Sequence, residues 1–223
     1  MGSPVTAPLR LVLASNNAGK LAELQRLLAP LALELVAQPE LALAEADEPH
    51  ATFVENALAK ARHAARASGG AALADDSGLC VAALGGLPGV GSAHYARVAL
   101  PDGERAARRR AQDAANNALL LQRLQHATDR RAAFVCTLVA LRSANDPEPL
   151  VATGRWAGEI ARAPRGTGGF GYDPLLLLPA LGLTVAELAP QRKDALSHRA
   201  RACRRLRALL RAHWRVAREV ARS

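Results

Sequence analysis

Two carboxylates, Asp75 and Asp76, stand side by side inside the apolar stretch LADDSGLCVAALGGLPG, residues 73–89, and Ser77 and Gly78 follow at once. Ionised groups on a buried strand are costly unless they are paired, hydrogen-bonded or metal-bound, so the fold must bring partners to this point. Neighbouring side chains on a strand point to opposite faces. The two acids must therefore divide: one faces a given site, and the other meets backbone or a loop. The residues leave open which is which. The stretch reads as a buried strand beginning AALAD whose C-terminal end delivers the acid pair.

The flanking sequence supplies the rest of an α/β pattern. LRLVLA, residues 9–14, reads as a strand, SNNAGK as a tight turn and LAELQRLLAP as a helix; LALELVAQ and the acidic loop AEADEPH follow. TFVENALAKARHAARASGG reads as a helix, opened by a Thr52/Glu55 capping box and stopped by Gly69 and Gly70. Residues 104–125 predict an arginine-studded helix. AAFVCTLVALR and PLVATGRWAGEIA predict two strands joined by SANDPEP as an antiparallel ribbon. The loop PRGTGGFGYDP, a short strand LLLLP, a Thr184/Glu187 capping box and a long helix beginning near LSHRARACRRL complete the chain. Strands alternate with helices early and pair as hairpins later, which predicts a mixed α/β sheet flanked by helices. The 223 residues show no repeat and no long linker, so a single domain over 1–223 is expected.

The net charge of +9 resides almost wholly in arginine, concentrated at Arg108–Arg110 and from Arg192 to Arg218; the only lysines are Lys20, Lys60 and Lys193. Such a balance favours polyanions, whether nucleic acid, anionic membrane or phosphorylated metabolite. Aromatics make up only 3% of the chain, too few for base-stacking platforms, and no nucleic-acid motif appears, so a stable nucleic-acid complex is not expected. Cys80, Cys136 and Cys203 have neither disulfide-framework nor zinc-ligand spacing. With no secretory leader and no apolar run of about 18 residues, the cytoplasm is the expected compartment and no membrane partner is expected.

Four clusters carry candidate chemistry. SNNAGK, Ser15 to Lys20, lies between a strand and a helix, where free amide groups and the helix dipole can hold an anion; an ordinary N-cap would use the same Ser and Asn residues. It is not a Walker A loop. Glu45, Asp47 and Glu48, together with the Asp75/Asp76 pair, offer the hard oxygens that Mg²⁺ requires. GTGGFGYDP has four Gly in six positions beside Phe170 and Tyr172, as a loop that approaches a planar ligand or as a packed hairpin turn. KDALSHRA brings Lys193, Ser197, His198 and Arg199 to the start of the last helix, suited to phosphate or a base carbonyl or simply to solvent.

Taken in order, LASNNAGKLAEL, TFVENALAKARHAA, ADDSGLCVAALGGLPGV, GTGGFGYDP and SHRARA resemble the inosine/xanthosine triphosphate pyrophosphatase family from Leu11 to about Leu210. The resemblance implies an elongated mixed sheet with two lobes around a central nucleotide cleft, usually as a homodimer. It implies Mg²⁺-dependent hydrolysis of ITP, dITP or XTP to the monophosphate and pyrophosphate. Carried over by motif, Ser15, Asn16, Asn17, Ala18, Gly19 and Lys20 would hold the triphosphate; Asp76 would be the catalytic acid residue and Ser77 would contact the nucleotide. Phe170, Gly171, Tyr172 and Asp173 would meet base and sugar, with Lys193, His198 and Arg199 completing the purine and phosphate site. The metal would lie at Asp47 or Glu48 together with Asp76. The chain departs from the family pattern at His94, where Arg is more usual, and in VALPDGERAARRRAQDAANN, which is longer and more basic. A related family acting on modified pyrimidine or methylated triphosphates also opens with a strand, LAS and a helix, but GTGGFGYDP and SHR argue against it.

Overall fold

The computed structural model describes residues 8–99 and 102–217; Arg218, the end of the basic segment noted above, lies outside them. The strands are β1 (Leu9–Ala14), β2 (Leu33–Ala37), β3 (Ala72–Val81), β4 (Arg131–Leu141), β5 (Leu150–Ile160), β6 (Leu176–Leu178) and β7 (Leu183–Thr184). The helices are α1 (Ala18–Leu28), α2 (Phe53–Ser68), α3 (Arg105–Arg123), α4 (Pro190–Leu196) and α5 (His198–His213). The strands form one mixed sheet in the order β2-β1-β3-β4-β5-β6-β7. β1 pairs with β2 and β3 in parallel, and β5-β6 and β6-β7 are antiparallel. The described residues divide into two compact units, 8–76, 137–153 and 201–217 in the first and 77–99, 102–136 and 154–200 in the second.

In the first unit the connections from β1 to β2 and from β2 back past β1 to β3 run in opposite directions. Right-handed crossovers then place α1 and α2 on opposite faces of the sheet. The packing follows that parity. Val12, Ala14, Ala72 and Ala74 share a core with Ala57, Ala61, Ala64 and Ala65 of α2; alanine on both sides lets helix and strand approach closely. Thr52 caps α2 as expected by accepting from the Glu55 N–H at 3.3 Å, but the Glu55 carboxylate bonds the Thr52 hydroxyl rather than its backbone. Gly69, with φ of 69°, ends the helix.

The second unit has its own core, in which Leu79, Leu120, Phe134, Trp156, Tyr172, Leu175 and Leu176 are buried together. The Thr184/Glu187 box is complete, yet it caps only the 3₁₀ turn Val185–Glu187. Two expectations need correction. The acid pair does not end a strand: β3 runs on through Val81. Lys193 does not open the last helix but lies on α4, which stops at Ser197 because that residue is extended, with ψ of 161°.

Candidate active site

Within the first unit, β1 and β3 are in register from Val12↔Ala72 to Ala14↔Ala74, so Asp75 and Asp76 are the first β3 residues beyond the end of β1. They lie level with the turn that leads into α1, at the point where connections from adjacent parallel strands depart in opposite directions. Open α/β sheets bind ligands at such a place. Side-chain alternation then decides the partners. Asp76 shares the face of Ala72 and Ala74, and there Lys60 of α2 donates to its Oδ1 at 2.9 Å. Asp75 points to the other face, where the Lys20 Nζ of α1 lies 2.8 Å from its Oδ1. The expected division of the pair holds, and a lysine meets each acid.

Lys60 also donates to Glu48 Oε1 at 3.0 Å, which draws the end of the acidic loop to Asp76. Asp47 and Glu48 are both exposed, and Glu48 is the one whose carboxylate meets Lys60. Asp76 is 3% exposed, and its Oδ2 is buried with no hydrogen-bond partner among the described residues. Burial raises the Asp76 pKa to about 6, against the pull of Lys60. Burial also opposes the charge on Lys60, but Asp76 and then Glu48 outweigh it and hold the ammonium above its ordinary range. Both shifts follow from the same geometry: one carboxylate oxygen is ion-paired and the other is buried without a hydrogen-bond partner among the described residues.

Loop 15–20 spends much of its polarity on itself. Asn17 Oδ1 accepts from the Lys20 N–H at 3.2 Å and is the N-cap of α1, while Ser15 Oγ accepts from the Asn17 N–H at 3.2 Å. The capping reading is therefore realised, and the exposed start of α1 still carries its dipole and Lys20. Asn16, Ala18 and Gly19 line the same turn.

The second unit gathers the remaining candidates. Arg199, only 1% exposed, donates to Ser77 Oγ at 3.0 Å. The buried His198 ring stacks on Phe134 with centroids 4.9 Å apart. Gly78 has no room for a Cβ, which would strike the Gly89 carbonyl and Ser92; Ser92 Oγ there accepts from the Leu79 N–H at 2.9 Å. In the glycine-rich loop, Asp173 Oδ2 accepts from Lys193 at 2.8 Å and from the Phe170 N–H at 2.9 Å. Lys193 Nζ lies 4.7 Å from the centre of the half-buried Phe170 ring. Tyr172 is buried and donates to the Ser92 carbonyl at 2.9 Å, so of the two aromatics only Phe170 keeps an accessible ring.

Lys60 was not among the residues singled out from the sequence, although a signal was available. In a chain whose cations are almost all arginine, each of the three lysines makes an ion pair with an aspartate: Lys20 with Asp75, Lys60 with Asp76 and Lys193 with Asp173. A compact ammonium on a flexible stem suits a single carboxylate oxygen in a confined place better than a planar guanidinium does.

As to a divalent cation, Glu48 and the unpartnered Asp76 Oδ2 offer hard oxygen donors of the kind Mg²⁺ takes from protein, with phosphate and water completing its shell. The residues fit such an ion. Among the described residues no group of three or more His, Cys, Asp or Glu is arranged to hold a metal ion.

Fold and site together define an α/β protein that assembles acid–lysine pairs on β3 just beyond the end of β1. Comparison with known proteins places it more closely: residues 11–209 match the Ham1 family model, and the chain belongs to that family. A dITP/XTP pyrophosphatase of Methylibium petroleiphilum is 67% identical over 92% of this chain and 99% of its own length, and one of Leptothrix cholodnii is 62% identical over 94% and 100%. Among solved structures, a HAM1 protein from Coxiella burnetii superposes with a TM-score of 0.81 at 45% identity, covering 92% of this chain and 99% of the other.

Proposed function

We propose that the protein is a dITP/XTP pyrophosphatase, which hydrolyses non-canonical purine nucleoside triphosphates, ITP included, between the α and β phosphates to release the monophosphate and pyrophosphate. The observation that carries the reading is the buried Asp76 carboxylate, ion-paired through one oxygen to Lys60 and raised to a pKa of about 6. That value suits a general base acting near neutral pH.

Asp76 takes the proton of the attacking water. Lys60 orients the carboxylate and keeps it ionised above about pH 6. Lys20, held by Asp75, presents positive charge to the triphosphate at the start of α1, where Ser15–Gly19 supply backbone donors. Glu48 and Asp76 would hold Mg²⁺, which neutralises phosphate charge and aligns the reacting groups. Ser77 contacts the nucleotide, with Arg199 fixing its hydroxyl. The Phe170 ring packs on the purine; Gly171, Tyr172, Asp173, Lys193 and His198 shape that end of the site. A donor aimed at the base C6 substituent is satisfied by the carbonyl of dITP or XTP and left unpaired by the amino group of ATP, a mismatch that discriminates strongly.

Cys80, Cys136 and Cys203 are not joined in disulfides, which favours a reducing compartment such as the cytoplasm, and no helix among the described residues is long and apolar enough to cross a membrane. By resemblance to its family the enzyme acts as a homodimer. The reading is tested by pyrophosphate release with Mg²⁺ across dITP, XTP, ITP, ATP and GTP. The first three should turn over at least about tenfold faster than the last two; equal rates would end the specificity claim.

A further inference from the structure

We propose that Asp113 and Asn117 of α3 are positioning residues for purine recognition, acting through the peptide groups of Gly171. The proposal rests on the placement of Phe170 at the base under Proposed function. The Gly171 N–H donates to Asp113 Oδ2 at 2.9 Å, and the Gly171 carbonyl accepts from Asn117 Nδ2 at 3.0 Å. Residues four apart lie on one helix face, so a single helix takes both backbone polar groups of a single loop residue. Arg109, a further turn back, lies 3.1 Å from Asp113 Oδ1 and sets the carboxylate for its second oxygen to reach the loop.

The clamp sits where it has most effect. Residues 162–169 are all exposed and are tied by the Arg165 N–H to the Pro174 carbonyl and the Gly168 N–H to the Ala186 carbonyl, whereas Phe170 and Gly171 are half-buried and the clamped peptide is where the loop meets α3. Gly171 has φ of 62°, a backbone state that side chains disfavour and that the two bonds hold from both sides. The Phe170 N–H bonds Asp173 within the loop, and Lys193 of α4 bonds the same carboxylate from outside it. The loop's placement against α3 comes from Asp113 and Asn117. Next along the chain, Tyr172 bonds the Ser92 carbonyl, to which Asn116 of α3 donates at 3.2 Å. With Gln112, Asn116 also holds Ala96. The polar face of this arginine-rich helix is thus committed to fixing loops. A ring that must stack on a base tolerates little displacement, since an error of about 1 Å can cost about 10²-fold in rate.

The test uses full-length Asp113→Ala, Asn117→Ala and Asp113→Asn, the last retaining an oxygen acceptor for the Gly171 N–H. Steady-state kinetics with dITP, XTP and ATP are measured beside thermal melting and amide hydrogen exchange of segment 168–173. Both alanine variants should raise KM for dITP and XTP about tenfold with kcat changed by less than about threefold, narrow the preference over ATP and speed exchange in the segment. Asp113→Asn should stay near wild type. Unchanged KM and preference beside a lowered Tm would reduce the pair to a structural role and overturn the proposal, as would unchanged exchange or equal damage from Asp113→Asn. Should Asn117→Ala fail to fold, the two substitutions at the half-buried Asp113 decide the matter. A wild-type enzyme inactive on dITP and XTP would overturn the functional reading itself, a result distinct from activity that the variants share.

Discussion

Lys60 Nζ sits 2.9 Å from Asp76 Oδ1 while Asp76 Oδ2 has no hydrogen-bond partner among the described residues. Half of a buried carboxylate is thus neutralised and half is available. A group in this state can accept a proton or a cation, and it has been placed there by alanine-on-alanine packing between α2 and β3. Removing its basicity without changing its shape should stop the reaction. Asp76→Asn is expected to lower pyrophosphate release by about 10³-fold with an unchanged circular dichroism spectrum; near-normal turnover would remove Asp76 from the role of base.

Lys60→Met should move the pH profile. Asp76 is active when ionised, so kcat/KM should fall below about pH 6 in the wild type, and without the lysine the acid limb should shift upward. Stability runs the other way. The folded pKa lies above the unfolded value of about 3.9, so the folded state carries the extra proton across the interval up to about 6. The contribution of this group to stability is therefore greatest below that interval and is lost as pH rises through it. The variant should extend the loss to higher pH and cost about 3 kcal/mol near neutrality, the usual result of stranding one member of a buried pair. Denaturant titrations from pH 4 to 8 check the sign.

The Lys20–Asp75 pair calls for a double-mutant cycle. The Asp75 side chain is fully buried while that of Lys20 is 16% exposed, so Lys20→Met removes the lysine from the more deeply buried charge of the pair. Lys20→Met with Asp75→Leu should be more stable than Lys20→Met alone, with a coupling of about 1–3 kcal/mol measured in urea. Both should weaken triphosphate binding, because Lys20 is gone from each; an unaltered KM would exclude Lys20 from the substrate site.

Gly78→Ala should destabilise through overpacking rather than through backbone strain. A Cβ there meets the Gly89 carbonyl and Ser92, and Ser92 Oγ bridges Leu79 N–H and the Gly89 carbonyl at 2.9 and 2.6 Å. A loss of about 1–3 kcal/mol should appear as a Tm lower by about 5 °C. A melting temperature equal to wild type would mean that the turn yields freely.

Chelation by EDTA should abolish activity and Mg²⁺ restore it. Glu48→Gln should raise the Mg²⁺ concentration for half-maximal rate, whereas Asp47→Asn should not, because Glu48 is the acid that Lys60 draws toward Asp76. The reverse ranking would return the metal to Asp47.

The linear chain by itself determined the elements whose patterns are local. β1 needs only a run of buried aliphatics, α2 only Thr52 at one end and Gly69 at the other, and the division of Asp75 from Asp76 only the two-residue period of a strand. The motif order also marked Asp76 and the glycine-rich loop as site residues. Tertiary structure alone decided what each acid meets, because parallel register and opposite crossovers bring α1 to one face of β3 and α2 to the other. The choice of Glu48 over its neighbour depends on where Lys60 ends after helix and sheet have packed. The extension of β3 beyond its acids was missed because Lys60 and Lys20, remote in sequence, offset charges that would otherwise end a buried strand. The grip of Asp113 and Asn117 on Gly171 joins residues more than fifty apart, a pairing that no local period encodes.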